Sequence, residues 1–154
     1  MKLAEALILR ADCQKRLEQL KARIVRSAKV QEGDAPPENP QELIIELERT
    51  ASELMDLIKR INRTNSTTRF DAEPDGRTLS DVLAERDVLA MRRAAYSGLA
   101  EAAAVTQNLY SRSEVKFVST VNVAEVQKRT DDLAKQYREL DARIQEANWK
   151  TDLL

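Results

Sequence analysis

The chain has 154 residues; 33% are charged and 4% aromatic, with 25 Lys and Arg against 26 Asp and Glu. That balance leaves no global field to draw in nucleic acid or an anionic membrane, and scarce Gly and Pro favour long helices over a β-sandwich or a nucleotide-binding α/β sheet. There is no histidine, which removes the commonest general base at neutral pH and the commonest zinc ligand, and the single cysteine, Cys13, excludes an internal disulfide.

A chain of this length reads most simply as one domain over 1–154. A lone cysteine suits a reducing compartment. No signal-peptide pattern opens the sequence, because Leu7-Ile8-Leu9 is short and Lys2, Glu5, Arg10 and Asp12 surround it. No stretch reaches the apolar length of a membrane span. The expectation is a cytoplasmic protein.

The first helix is expected over about 2–29, with a stripe of Leu3, Ala6, Arg10, Cys13, Leu17, Leu20 and Ile24 at steps of three and four. Gly33, Pro36 and Pro37 then break it. The second helix, about 40–61, opens on Asn39 as cap, Pro40 at the first position and Glu42 at the third. Its expected seam is Ile44, Leu47, Ala51, Leu54, Ile58 and Ile61, widened by Leu43, Met55 and Leu57.

A polar island, Asn62 to Arg69, interrupts the pattern, and a turn at Asp75-Gly76 completes an irregular stretch over 62–78. Thr78 and Asp81 resemble a capping box for a third helix over about 79–109. That helix carries Leu79, Val82, Leu83, Leu89, Tyr96, Leu99 and Ala103. The β-formers Val115, Phe117, Val118 and Val121 predict a short extended or strand segment over 111–121. Asn122 and Glu125 cap a last helix over about 123–148, with a seam of Val126, Thr130, Leu133, Tyr137, Leu140, Ile144 and Ala147. The whole reads as mainly α, an elongated antiparallel helical bundle with coiled-coil character and a small extended element.

The chain resembles a family of bacterial proteins sometimes labelled "septicolysin". The resemblance is carried by Met1 to Leu7, Ile61 to Asn65, Asp75 to Leu79 with Arg86-Asp87, Ser111 to Glu114, and Tyr137 to Asp141. It runs along nearly the whole chain and implies membership without an activity. A pore-forming toxin needs secretion and a membrane-inserting apolar element, and the sequence shows neither a signal nor a Trp-rich loop.

The island concentrates hydrogen-bonding groups. Arg63 and Arg69 suit bidentate contacts to a phosphate or carboxylate, with Asn62, Thr64, Asn65 and Thr67 completing the shell. The same groups also suit satisfying one another and the exposed carbonyls of the preceding helix, or forming a polar contact between subunits. The acidic run Asp71, Glu73, Asp75 and Asp81 resembles the opening of an EF-hand loop, but Pro74 intrudes and Val82 stands where a closing Glu belongs. A solvated turn is the simpler reading.

Arg10, Arg86 and Arg93 fall on apolar stripes, where each must reach solvent or a carboxylate; Glu5, Glu46, Glu53, Asp56 and Asp87 are available. Arg10, Arg86 and Asp87 alternatively join the island in one polar cavity. Cys13 reads as a small apolar filler. Trp149 either caps the core or anchors a subunit contact. The sequence offers no recognised catalytic motif, metal site or cofactor site. The leading expectation is a non-enzymatic structural or interaction module that forms homo-oligomers. The second is a binder of a small anion, or an enzyme, working through the island. Nucleic-acid and membrane partners are not expected.

Overall fold

The computed structural model describes residues 1–104 and 115–154. The fold is mainly α, and the described residues form four helices: α1 (Leu3–Arg26), α2 (Pro40–Thr67), α3 (Leu79–Ala103) and α4 (Val123–Lys150). Among the described residues, β structure amounts to two isolated antiparallel bridges, Lys2 with Asp152 and Arg69 with Thr78. The chain forms two compact units, Met1–Leu79 with Glu146–Leu154, and Ser80–Gln145.

In the first unit α1 and α2 form an antiparallel hairpin. Arg16 pairs with Glu46 and, a turn or two further along α1, Arg23 pairs with Glu38 at the start of α2. The Arg23 Nε–Glu38 Oε2 distance is 2.9 Å. Asn39 caps α2 as its sequence position predicts, its Oδ1 accepting from the Gln41 N–H at 3.0 Å, and Pro40 takes the first helical position, where no N–H is needed. Gly33, at φ +89°, supplies the left-handed turn of the connection. α1 stops at Arg26, short of residue 29, because the Ser27 N–H turns back to the Arg23 and Ile24 carbonyls.

Two expectations for α2 are corrected. The helix runs on from Ile61 to Thr67, so most of the polar island is helical. The buried side is Leu43, Thr50, Leu57, Ile61 and Thr64, while Ile44 and Ile58 lie on the exposed flank. The physical reason is the same in both cases. Leu43, Thr50, Leu57 and Thr64 recur every seven residues, and the threonines hide their hydroxyls. Thr50 Oγ1 donates to the Glu46 carbonyl and Thr64 Oγ1 to the Arg60 carbonyl, each at 2.9 Å. A threonine bonded back to the preceding turn packs much like a valine, so the stripe continues where the letters look polar.

The chain ends complete this unit. The Leu3 N–H donates to the Thr151 carbonyl and the Leu153 N–H to the Met1 carbonyl, both at 2.9 Å. Lys2 Nζ meets Asp152 at 2.7 Å and donates to the Lys150 carbonyl at 3.2 Å. Hydrogen bonding from Arg23, Arg16 and Lys2 holds the carboxyls of Glu38, Glu46 and Asp152 respectively below their usual values.

Each of these folded-state values lies below the unfolded one. Their stabilisation is therefore complete above the ordinary carboxylate range and is lost as pH falls through that range towards the lowered values. Denaturation midpoints should be level from about pH 7 to 5 and fall below about pH 4. Glu38→Gln with Glu46→Gln should flatten that fall; an unchanged acid profile in the double variant would place the acid-sensitive contacts elsewhere.

In the second unit Val82 of the expected α3 stripe is buried together with Ala100, which that stripe does not include, while the expected Leu99 is 40% exposed; Val126, Thr130, Leu133 and Ile144 of the expected α4 stripe are buried. Thr130 repeats the device of α2, donating to the Val126 carbonyl at 3.0 Å. Asn122 caps α4, its Oδ1 accepting from the Glu125 N–H at 3.2 Å. Residues 105–109 of the expected third helix and Ser111–Glu114 of the expected extended segment lie outside the described residues. Over 115–121 the described backbone joins no strand, and Ser119 closes a local turn on Val121.

Candidate functional site: the polar joint at the end of α2

The island forms the last turns of α2 and its exit. Thr64 is fully buried there. Its hydroxyl donates to the Arg60 carbonyl and accepts the Leu154 N–H at 3.0 Å. Arg60 Nε donates to the Leu154 carbonyl oxygen at 2.9 Å. Arg60 and Thr64, one helical turn apart, thus hold both main-chain polar groups of one residue.

The carbonyls that a helix end leaves unpaired are also met locally. Ser66 and Thr67 hydroxyls both donate to the Arg63 carbonyl at 2.9 Å, and the Thr68 N–H donates to the Thr64 carbonyl at 2.9 Å. The chain then folds into a clasp. The Phe70 N–H donates to the Arg77 carbonyl at 2.8 Å and the Leu79 N–H to the Thr68 carbonyl at 3.0 Å. Arg69 Nη1 donates to the Gly76 carbonyl at 2.8 Å. Arg77 grips both oxygens of Asp71, at 2.7 and 3.1 Å, and lies 5.8 Å from the Phe70 ring centroid.

Of the residues expected to form a site, Thr64, Thr67 and Arg69 are thereby committed to the chain itself. Asn62 and Arg63 are exposed, Asn65 is half-buried, and their side chains make no hydrogen bond among the described residues. Arg86 and Asp87 belong to the second unit. Arg86 Nη1 meets Asp141 at 2.7 Å, with Asp87 more distant at 3.7 Å. Asp141, on α4, was not among the partners the sequence offered for the seam arginines. Arg93 is exposed. Arg10 is half-buried, and its Nε has no partner among the described residues. Cys13 is half-buried. Trp149 is 56% exposed, which leaves it outside the core.

The acidic run serves the clasp. Asp71 accepts from the Arg77 main chain and side chain, and among the described residues no three His, Cys, Asp or Glu side chains come together as metal ligands. Gly76 is the position with no room. A Cβ there would lie 2.8 Å from the Asp71 Cβ and 2.9 Å from the Glu73 carbonyl oxygen. Gly76→Ala is therefore expected to open the clasp at a cost of about 1–3 kcal/mol, measured by thermal or urea unfolding. A Cβ added at Gly98, inside α3, would meet nothing within 4 Å, so Gly98→Ala should stabilise the helix by about 0.5–1 kcal/mol. Equal effects at the two glycines would contradict the clasp geometry.

What the joint does chemically is hold main chain. It ends α2, returns the chain to α3, and fastens the segment after α4. The comparisons carry no activity either. A family model described as "Family of unknown function (DUF6847)" matches residues 10–153. No curated protein matches the sequence. Among solved structures, the chain is similar to a functionally unknown conserved protein from Corynebacterium diphtheriae. The identity is 47% over 100% of this chain and 99% of that one, with a TM-score of 0.93. A model match over nearly the whole length shows the family, and this chain belongs to the family of unknown function DUF6847.

Proposed function

We propose that the protein is a non-enzymatic structural or interaction module that works as a self-association of helices. One observation carries this reading. Between Val82 and Ala100 no residue of α3 is fully buried, and Val88, Met91 and Leu99 are exposed by 51%, 69% and 40%. A helix with that much apolar surface gains most of its stability by packing it away, and a single face of α3 meets the core of its own unit. α2 has a similar flank in Ile44, Ile45, Met55 and Ile58. Size-exclusion chromatography with light scattering tests the reading: the protein should run above the mass of one chain, increasingly so with concentration. One-chain mass throughout would sink it.

Arg63 supports a second reading. Its guanidinium is exposed and unpaired among the described residues, beside Asn62, as a small-anion contact requires. Inorganic phosphate should then raise the melting temperature of the wild type and leave that of Arg63→Ala unchanged. An identical response of the two proteins removes this reading.

A further inference from the structure

We infer that a second copy of this chain packs antiparallel against α3, along Ala84, Val88, Met91, Ala95, Gly98 and Ala102. The inference rests on the self-association reading above and names its surface. These six residues step by four, three, four, three and four, the spacing of a coiled-coil seam. All six are exposed, Met91 by 69%. They lie on the side of α3 turned away from Val82, Leu89, Tyr96 and Ala100, the stripe that faces its own unit. α3 therefore has two seams, and one is filled.

The order of sizes along the open seam identifies the partner. A two-fold axis across its middle sets Ala95 against the partner's Met91, Gly98 against the partner's Val88, and Ala102 against the partner's Ala84. Every large side chain meets a small one. A parallel pairing would instead set methionine on methionine and glycine on glycine, leaving a clash and a void within two turns. It would also bring Asp87 near the partner's Arg92, but an exposed ion pair contributes too little to outweigh poor packing.

The surroundings of the seam repeat the argument independently. At the end of α3, Phe117 is 85% exposed and, with Val118, borders a hollow shared with Leu99 and Ala102. At the other end, Ala84, Val88 and Leu89 line a groove of about 480 Å³ with Gln136 of α4. Antiparallel pairing carries each protruding phenylalanine to the partner's groove, twice over, as a two-fold interface requires. Parallel pairing sets knob against knob and groove against groove.

The area of the seam sets the strength of the dimer. The seam spans 19 residues, or about 27 Å, with a contact width of roughly 10 Å. That footprint is roughly 270 Å² per copy before the Phe117 and Val118 side chains are added, below the ≈ 800 Å² per partner of a standard interface, so the pairing is weak and concentration-dependent.

The test uses the full chain in a Cys13→Ser background and reads mass by sedimentation equilibrium and cross-linking on oxidation. Gly98→Leu has open space within its own chain, so it should fold and raise the dimer dissociation constant about ten-fold or more. Val88→Cys together with Gly98→Cys should form an intermolecular disulfide dimer, and Val88→Cys alone should not. A wild-type oligomer indifferent to Gly98→Leu, or one that Val88→Cys alone cross-links as readily as the pair, would overturn this pairing and leave self-association standing. A wild type of one-chain mass would overturn both.

Discussion

Ile61→Ala should lower the unfolding free energy by about 3 kcal/mol and the melting temperature by roughly 6–12 °C. Ile61 is 1% exposed on the inner stripe of α2, where truncation removes buried methyl groups and leaves a cavity. Ile58, three residues earlier, is 36% exposed, and Ile58→Ala should cost less than about 1 kcal/mol. The apolar pattern alone assigns both isoleucines to one seam and predicts similar losses. The measured difference between them therefore reports which face of α2 meets α1.

The second large effect falls on the polar joint. Thr64→Val keeps the shape of a fully buried side chain and removes the acceptor of the Leu154 N–H. The orphaned donor and the lost bond should together cost about 1–2 kcal/mol. The amide of Leu154 should lose its protection from hydrogen exchange. Thr50→Val is the control. Thr50 is as deeply buried, but its hydroxyl only donates to the Glu46 carbonyl, which the helix already bonds. That change should be close to neutral. Equal costs at the two threonines would mean that the joint contributes nothing specific.

These contrasts mark where the sequence is legible and where it is not. The stripes of α1 and α4 can be read directly, because Leu3, Ala6 and Leu20, and Val126, Leu133 and Ile144, carry apolar letters at helical spacing. The caps of α2 and α4 are legible too, since Asn39 and Asn122 each stand just before a helical run, where an Asn oxygen accepts an otherwise unpaired N–H of the first turn. On α2, Leu43, Leu57 and Ile61 are legible as apolar, but the seam is centred one position off, because Thr50 and Thr64 look polar and pack as apolar residues once bonded to the preceding turn. The same illusion ends the helix too early in the sequence and turns its last turns into an apparent island.

The joint itself is half legible. A density of hydroxyls, amides and guanidinium groups signals a polar task in the sequence, and Thr64, Thr67 and Arg69 hold main chain. Its object, the main chain of Leu154, lies 90 residues away from Thr64 and leaves no local mark. Asp141 is hidden from Arg86 for the same reason, at a separation of 55 residues. The outer seam of α3 escapes notice differently. Alanine and glycine make a weak hydrophobic signal, yet they are the residues that let two helices approach closely.

Self-association is the central claim, and the mass of the wild-type protein in solution tests it most directly. Sedimentation equilibrium from about 1 to 300 µM should show a concentration-dependent rise towards twice the mass of one chain, the range expected for a modest interface. A single species of one-chain mass across that whole range would contradict the account.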